Sequence, residues 1–234
     1  MPRSVAFVLA LWLLTATSLS AQTTAQTETL SPGINERFLD PNLDPQQWLA
    51  RFEVESREVF AHRQDVVQAL QLTPGTRIAD IGSGTGLFLE LFSKAVTDTG
   101  KVYALDISPR LIEFVKQRVQ KEKLKNVEAK LSQEDSTGLP NASIDVAFVC
   151  DTYHHFENHE AMLRSIRAAL RPGGQLVVID FQRIPGKSRD WVLGHVRADK
   201  EQVRQEIKQA GFVFQKEVKI PGFLENYFLR FKKP

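Results

Sequence analysis

The chain has 234 residues, 42% hydrophobic and 25% charged, with 13 Gly, 11 Pro and one Cys. Those proportions exclude wholesale disorder, a collagen-like repeat and a disulfide-stapled mini-protein. Thirty Lys and Arg against 28 Asp and Glu leave a net charge of +2, with no basic block long enough to follow a phosphate backbone, so no nucleic-acid partner is expected.

The N-terminus differs in kind from the rest: Arg3 precedes the apolar run Val5 to Leu14, and small, polar residues follow to Ala25. That order predicts a signal peptide over residues 1–21, cleaved near Ala21, and an exported (periplasmic or secreted) protein. The rival readings are a membrane anchor and a cytoplasmic chain. A span needs roughly 20 apolar residues, about twice this run, so no stable membrane span is expected in the mature chain. Cys150 has no partner and carries no information about compartment.

Residues 22–43 read as a linker and N-terminal loop, and 44–234 as one domain, a length sufficient for a well-buried core. From Asp44 to Leu72 the apolar residues Trp48, Phe52, Val59, Val66 and Leu70 recur at helical spacing, which predicts one long or broken amphipathic helix. That helix is a candidate lid carrying Trp48, Phe52 and Arg57; the alternative for these residues is core packing with exposed ion pairs such as Glu53 with Arg57. The pattern then alternates: strand Arg77 to Ile81, helix Leu87 to Ala95, strand Lys101 to Asp106, helix Pro109 to Lys123, strand Val127 to Leu131. Strand Ile144 to Cys150, helix His159 to Leu170 and strand Gln175 to Asp180 complete the alternation. Ser108 and Pro109 suit an N-cap and first turn. Apolar strands alternating with helices mean a parallel α/β sheet covered on both faces. A helix from Lys200 to Ala210, then Phe212 to Ile220 and Leu224 to Phe231 around Pro221-Gly222, predict a C-terminal antiparallel hairpin.

The informative segment is Ala79-Asp80-Ile81-Gly82-Ser83-Gly84-Thr85-Gly86, which leaves a strand and enters a helix. Its glycines permit a tight turn and close backbone approach to a ligand. A dinucleotide fingerprint would continue with Gly or Ala, where this chain has Leu87, so a nicotinamide-dependent oxidoreductase is the weaker alternative. Asp106 ends the second strand, where a carboxylate suits ribose hydroxyls. Asp135, beyond the third strand, is a candidate partner for an adenine amino group.

Asp80-x-Gly82-x-Gly84-x-Gly86, Ala104-Leu105-Asp106-Ile107-Ser108 and Leu170-Arg171-Pro172-Gly173-Gly174 together resemble class I S-adenosylmethionine-dependent methyltransferases with a type 11/25-like domain. The resemblance implies a Rossmann-like seven-stranded, mostly parallel sheet with one antiparallel strand, and S-adenosyl-L-methionine as cofactor. It places the cofactor's methionine near Asp80, Gly82, Ser83, Gly84 and Gly86, its ribose at Asp106 and Ile107, and its adenine near Asp135 and Ser136. The loop Asp151-Thr152-Tyr153-His154-His155-Phe156 lacks the Asn/Asp-Pro-Pro-aromatic sequence frequent in amino-group methylases of nucleic acid and protein, which points to a small-molecule acceptor. His154 or His155, with Asp151 beside them, are the catalytic candidates, as bases or as capping and packing groups.

A metal on Asp151, His154, His155 and His159 is set aside, because clustered histidines are common without one. Asp180, Arg183, His195 and Arg197 are secondary acceptor-site candidates. Arsenic methylation on similar folds uses several cysteines, which this chain lacks. A non-catalytic cofactor-binding or interaction protein remains an alternative, since S-adenosylmethionine is made inside cells and the leader predicts export.

Overall fold

A computed structural model of the chain describes Met1 and residues 33–234. The predicted signal peptide and the first part of the predicted linker lie outside the described residues. Residues 33–43 carry a short helix, α1 (Glu36–Leu39), anchored by Asn35, which is buried. The predicted Asp44–Leu72 helix is broken into α2 (Pro45–Phe52), α3 (Glu58–Ala61) and α4 (Arg63–Leu70). Asp44 caps α2 by accepting from the Gln46 amide, and Pro45 occupies the first turn. The break follows Phe52, because Glu53 is drawn into contacts with the body of the domain described below.

The alternating segments form β1 (Arg77–Ile81), α5 (Leu89–Val96), β2 (Lys101–Asp106), α6 (Pro109–Lys121), β3 (Val127–Leu131), β4 (Ile144–Cys150), α7 (His159–Ala169) and β5 (Leu170–Phe181). After β5 come α8 (Asp190–His195), α9 (Lys200–Gln209), β6 (Val213–Glu217) and β7 (Asn226–Lys232). Ser108 caps α6 as expected, accepting from the Leu111 amide at 3.4 Å. The seven strands lie in the order β3-β2-β1-β4-β5-β7-β6, parallel except for β7, which runs antiparallel to both β5 and β6. This is the mostly parallel, Rossmann-like sheet with a C-terminal antiparallel hairpin.

Period-2 alternation sends neighbouring strand residues to opposite faces. Leu176 and Val178 of β5 pack with α7 and α9 on one face, while Val177 and Ile179 join α4, α5 and α6 on the other. β5 starts earlier than the apolar run suggests. Leu170 pairs with Ile144 and Gln175 with Val146, so Arg171–Gly174 bulge out opposite Asp145. The strand order reverses between β1 and β4, and in open α/β sheets that switch opens a crevice at the carboxyl ends of the strands.

Candidate active site

A cavity of about 1460 Å³ occupies that crevice. It exceeds the roughly 300–1,000 Å³ typical of a site for one small ligand, so it has room for two. Asp80, Gly82, Ser83, Gly84, Asp106 and Ile107 line one end, and Asp151, His154, His155 and His195 line the other.

The glycine turn is dictated by its neighbours. Gly82 has φ +74°, and a Cβ there would stand 2.3 Å from Cγ2 of Thr152. Four of the five amides of the turn Gly82–Gly86 are consumed within the protein. Gly82 and Ser83 donate to the Leu105 carbonyl at 2.8 and 2.9 Å, Gly84 to Oδ2 of Asp106 at 2.9 Å, and Gly86 to the Ser83 carbonyl at 2.8 Å. An anion-binding nest needs such amides pointing at the ligand; here they point at protein. The carboxylates face the cavity instead. Burial, and then the charge of Asp106, pushes Asp80 up to about 8. Burial likewise raises Asp106 to about 6, against amide donation from Ser108, Gly84 and Ile107.

A cation bound here holds both carboxyls ionised, whereas a pyrophosphate would meet their buried oxygens in place of free amides. S-adenosylmethionine, with its sulfonium and ammonium groups, fits this donor set, and the Ser83 hydroxyl is buried without a partner beside it. A nicotinamide dinucleotide does not fit it.

Three of the cofactor candidates stand apart from the cavity wall. Gly86 has φ +87°, and a Cβ there would meet Leu89 at 2.7 Å, so its task is the entry into α5. Asp135 and Ser136 are not part of the cavity lining, which at this level consists of Ser132 and Glu134. The Ser132 amide continues the β2 ladder by donating to the Asp106 carbonyl at 2.9 Å. Glu134 and Asp135 then form a two-residue turn closed by the Gln133–Ser136 bridge, and of the two only Glu134 lines the cavity. The Ser136 hydroxyl lies 3.3 Å from that of Ser165, away from the cavity.

The histidine end is assembled from distant segments. Cys150 is followed by Asp151 at φ +48°, then a 3-10 turn over Tyr153–His155. His154 Nδ1 lies 2.8 Å from Oδ1 of Asp180 at the end of β5, and the His154 amide donates to Oδ2 at 3.0 Å. Burial alone would depress the His154 pKa, but the charge and hydrogen bond of Asp180 outweigh it and the net shift is upward. Burial, reinforced by His154 and His195, drives His155 down to about 2, and its Nδ1 is buried without a partner. His195 is lowered by burial and by His154.

Asp151 is engaged by Arg57 and by Asn226 Nδ2, the latter at 2.8 Å. Burial raises its pKa to about 6, against Arg57. His159 sits apart, with Nε2 3.8 Å from Glu206. Arg197 reaches the wall but is held bidentately by Glu206 at 2.6 Å and 2.6 Å. Arg183 lines the cavity and donates to the Leu193 carbonyl at 3.2 Å.

A strip of Phe38, Trp48 and Phe52 lies over the cavity, with ring centroids 4.6 and 5.2 Å apart. Glu53 does not pair with Arg57. It accepts from Arg118 at 2.5 Å and from Thr85 Oγ1 at 2.8 Å, clasping the end of α2 to the glycine turn. Arg57 goes to Asp151 instead. Asn35 donates to the His155 carbonyl at 3.1 Å, so the N-terminal segment bridges both ends. Asn35, Phe38, Ser132, Glu134 and Asn226 carry no motif that sequence reading detects. His195 gave only the weak signal of a titratable residue beyond β5.

A family model described as a methyltransferase domain matches residues 79–178. The chain is 25% identical over 123 residues to the ubiquinone/menaquinone biosynthesis C-methyltransferase UbiE of Hydrogenovibrio crunogenus, covering 52% of this chain and 48% of that protein. It is 26% identical over 155 residues to a phosphoethanolamine N-methyltransferase of Triticum aestivum, covering 64% of this chain and 30% of that one. The chain thus spans about half the length of the first of these relatives and less of the second. Among solved structures, a SAM-dependent methyltransferase from Aquifex aeolicus superposes with a TM-score of 0.72 at 25% identity, covering 82% of this chain and 99% of that one. The sheet order, the glycine turn and these likenesses support a class I S-adenosylmethionine-dependent methyltransferase, the methyltransferase domain model itself matching residues 79–178.

Proposed function

We propose that the chain transfers the methyl group of S-adenosylmethionine to a small-molecule nucleophile held at the histidine end of the cleft. The observation that carries this reading is the pair of buried carboxyls, Asp80 and Asp106, at a glycine turn that spends four of its five amides within the protein. Asp80 would hold the cofactor's cationic end, and Asp106 its ribose hydroxyls, with Ser83 free to bond beside them. The cavity volume supports a second, small ligand, and so does a turn after β4 without the Pro-Pro sequence of many macromolecule methylases.

When bound, the cofactor supplies a methyl carbon activated by an adjacent sulfonium. What remains for the protein is alignment, since direct displacement needs nucleophile, carbon and leaving sulfur in line. Phe38, Trp48 and Phe52 keep water from the cleft. Asp180 fixes the His154 ring through Nδ1 and so sets the orientation of that imidazole beside the acceptor. His155, neutral because it is buried, offers a lone pair that orients the acceptor's X–H group, and its low proton affinity favours positioning over proton abstraction.

Incubating the full chain with methyl-labelled cofactor and a panel of phenols, thiols and amines tests the reading. Label should pass to one class, and His155→Ala should lower turnover at least tenfold while cofactor affinity stays within about twofold. Label transferred equally well by His155→Ala would remove that residue from the acceptor site. Export is part of the proposal, supported by the apolar run Val5 to Leu14 and the small residues after it. No helix among the described residues is long and apolar enough to cross a membrane. A reporter active only outside the cytoplasm, fused after residue 30, should be active; an inactive, uncleaved fusion would reverse this assignment.

A further inference from the structure

Alignment of a nucleophile needs at most one or two polar groups, yet three imidazoles crowd the acceptor end of the cleft. His154 and His155 come from the turn after β4 and His195 from the end of α8. Their ring centroids lie 4.3, 5.2 and 5.2 Å apart, and one nitrogen from each ring is within 4.8 Å of one from each of the others. A zinc-like ion takes imidazole nitrogen at about 2.0–2.1 Å, which sets three tetrahedral ligands about 3.3 Å apart, so the nitrogens need draw together by no more than about 1.5 Å to share one ion.

Asp180 completes the pattern from behind. It engages Nδ1 of His154 at 2.8 Å, and its own position is held by the Phe181 amide at 2.8 Å and the His154 amide at 3.0 Å. A carboxylate behind an imidazole fixes the tautomer and ring orientation of metal-ligating histidines, leaving Nε2 as the donor. His155 adds a buried Nδ1 that has no protein partner. Asp151, the adjacent carboxylate, is already committed to Arg57 and Asn226. Three protein ligands beside an open cavity is the count of a reactive site rather than a closed structural one.

We propose that His154, His155 and His195 bind one divalent transition-metal ion of the nitrogen-preferring class, zinc being the type, with a fourth position open to the cleft for an anionic oxygen or sulfur donor. Asp180 is a positioning residue for that site. The ion site stands on the geometry of the cluster; only the use of its fourth position by a methyl acceptor rests on the reading given under Proposed function.

Titrating tag-free full-length protein with Co²⁺ tests this by visible absorption. The expected result is saturation at one equivalent with the intense bands of a four-coordinate site, displacement by Zn²⁺, and a spectral shift on adding azide. His155→Ala and His195→Ala should each abolish the bands, and Asp180→Asn should weaken binding by about 10- to 100-fold. Calorimetry with S-adenosylhomocysteine on the same preparations should find His195→Ala unchanged, which reports an intact fold. Wild-type protein that binds Co²⁺ but not S-adenosylhomocysteine would sink the methyltransferase reading and keep the ion site. The proposal is overturned if the bands persist in His155→Ala and His195→Ala, or if a wild-type protein that binds S-adenosylhomocysteine shows no saturable absorption.

Discussion

At the cofactor end of the cleft, Asp80, Gly82, Ser83 and Gly84 follow one another along the chain, and Asp106 joins them through the pairing of β2 with β1. At the histidine end, His154, Asp180, His195, Arg57 and Asn226 come from separate segments: the 3-10 turn, β5, α8, the α2–α3 connection and β7. The first end is held by backbone geometry and the second by side-chain pairs. Backbone geometry leaves a local trace in sequence, because positive φ and close approach demand glycine. Side-chain pairs across the fold leave none.

The sharpest way to break the comparison is at Gly82. Gly82→Ala combines a left-handed backbone, which costs a non-glycine residue about 1–3 kcal/mol, with a Cβ placed 2.3 Å from Thr152. A large drop in melting temperature and loss of cofactor binding are expected. Adding Thr152→Ala should recover part of the stability, and no recovery would mean that backbone strain alone accounts for the loss.

A second test uses pH. A carboxyl raised to about 8 in the folded chain, as Asp80 is, contributes stability below its unfolded pKa that is lost as pH rises through about 8. A bound cation favours the ionised form, so affinity for S-adenosylmethionine should climb over the same range. Asp80→Asn should flatten both profiles in thermal melts and titrations. A flat wild-type profile would show that Asp80 does not face the cofactor's charge.

The smallest effect is expected at Asp135. Asp135→Ala should leave cofactor affinity within about twofold, because the cavity wall at that level is Ser132 and Glu134. A loss of tenfold or more would move the adenine contact back to Asp135.

The strands and the helices α5, α6, α7 and α9 were legible because apolar periodicity and the Ser108-Pro109 cap are local signals, whereas the short α8 (Asp190–His195) was not. The bounds of β5 were not, since Leu170 pairs with Ile144 across a bulge that interrupts the apolar run. The N-terminal helical segment was legible as apolar spacing at Trp48 and Phe52, but its breaks and attachments were not. Glu53 reaches Arg118 on α6 rather than its helical neighbour Arg57, a choice made by tertiary packing. The Asp135 expectation came from the loop's position in the chain, whereas the two-residue turn between Gln133 and Ser136 brings Glu134, and not Asp135, to the cavity wall. His195 joins His154 and His155 only because α8 folds back over the end of β5, and nothing in the spacing of the chain announces it.

The measurement that bears most directly on the account is a calorimetric titration of the full chain and of Asp106→Ala with S-adenosylmethionine, S-adenosylhomocysteine and a nicotinamide dinucleotide. Wild-type protein should bind the first two and not the third, and Asp106→Ala should lose on the order of 1–3 kcal/mol of affinity while melting cooperatively, because ligand hydroxyls are left unpaired. Equal affinity in a folded Asp106→Ala, or tight dinucleotide binding by the wild type, would contradict the anionic cofactor site on which the assignment stands.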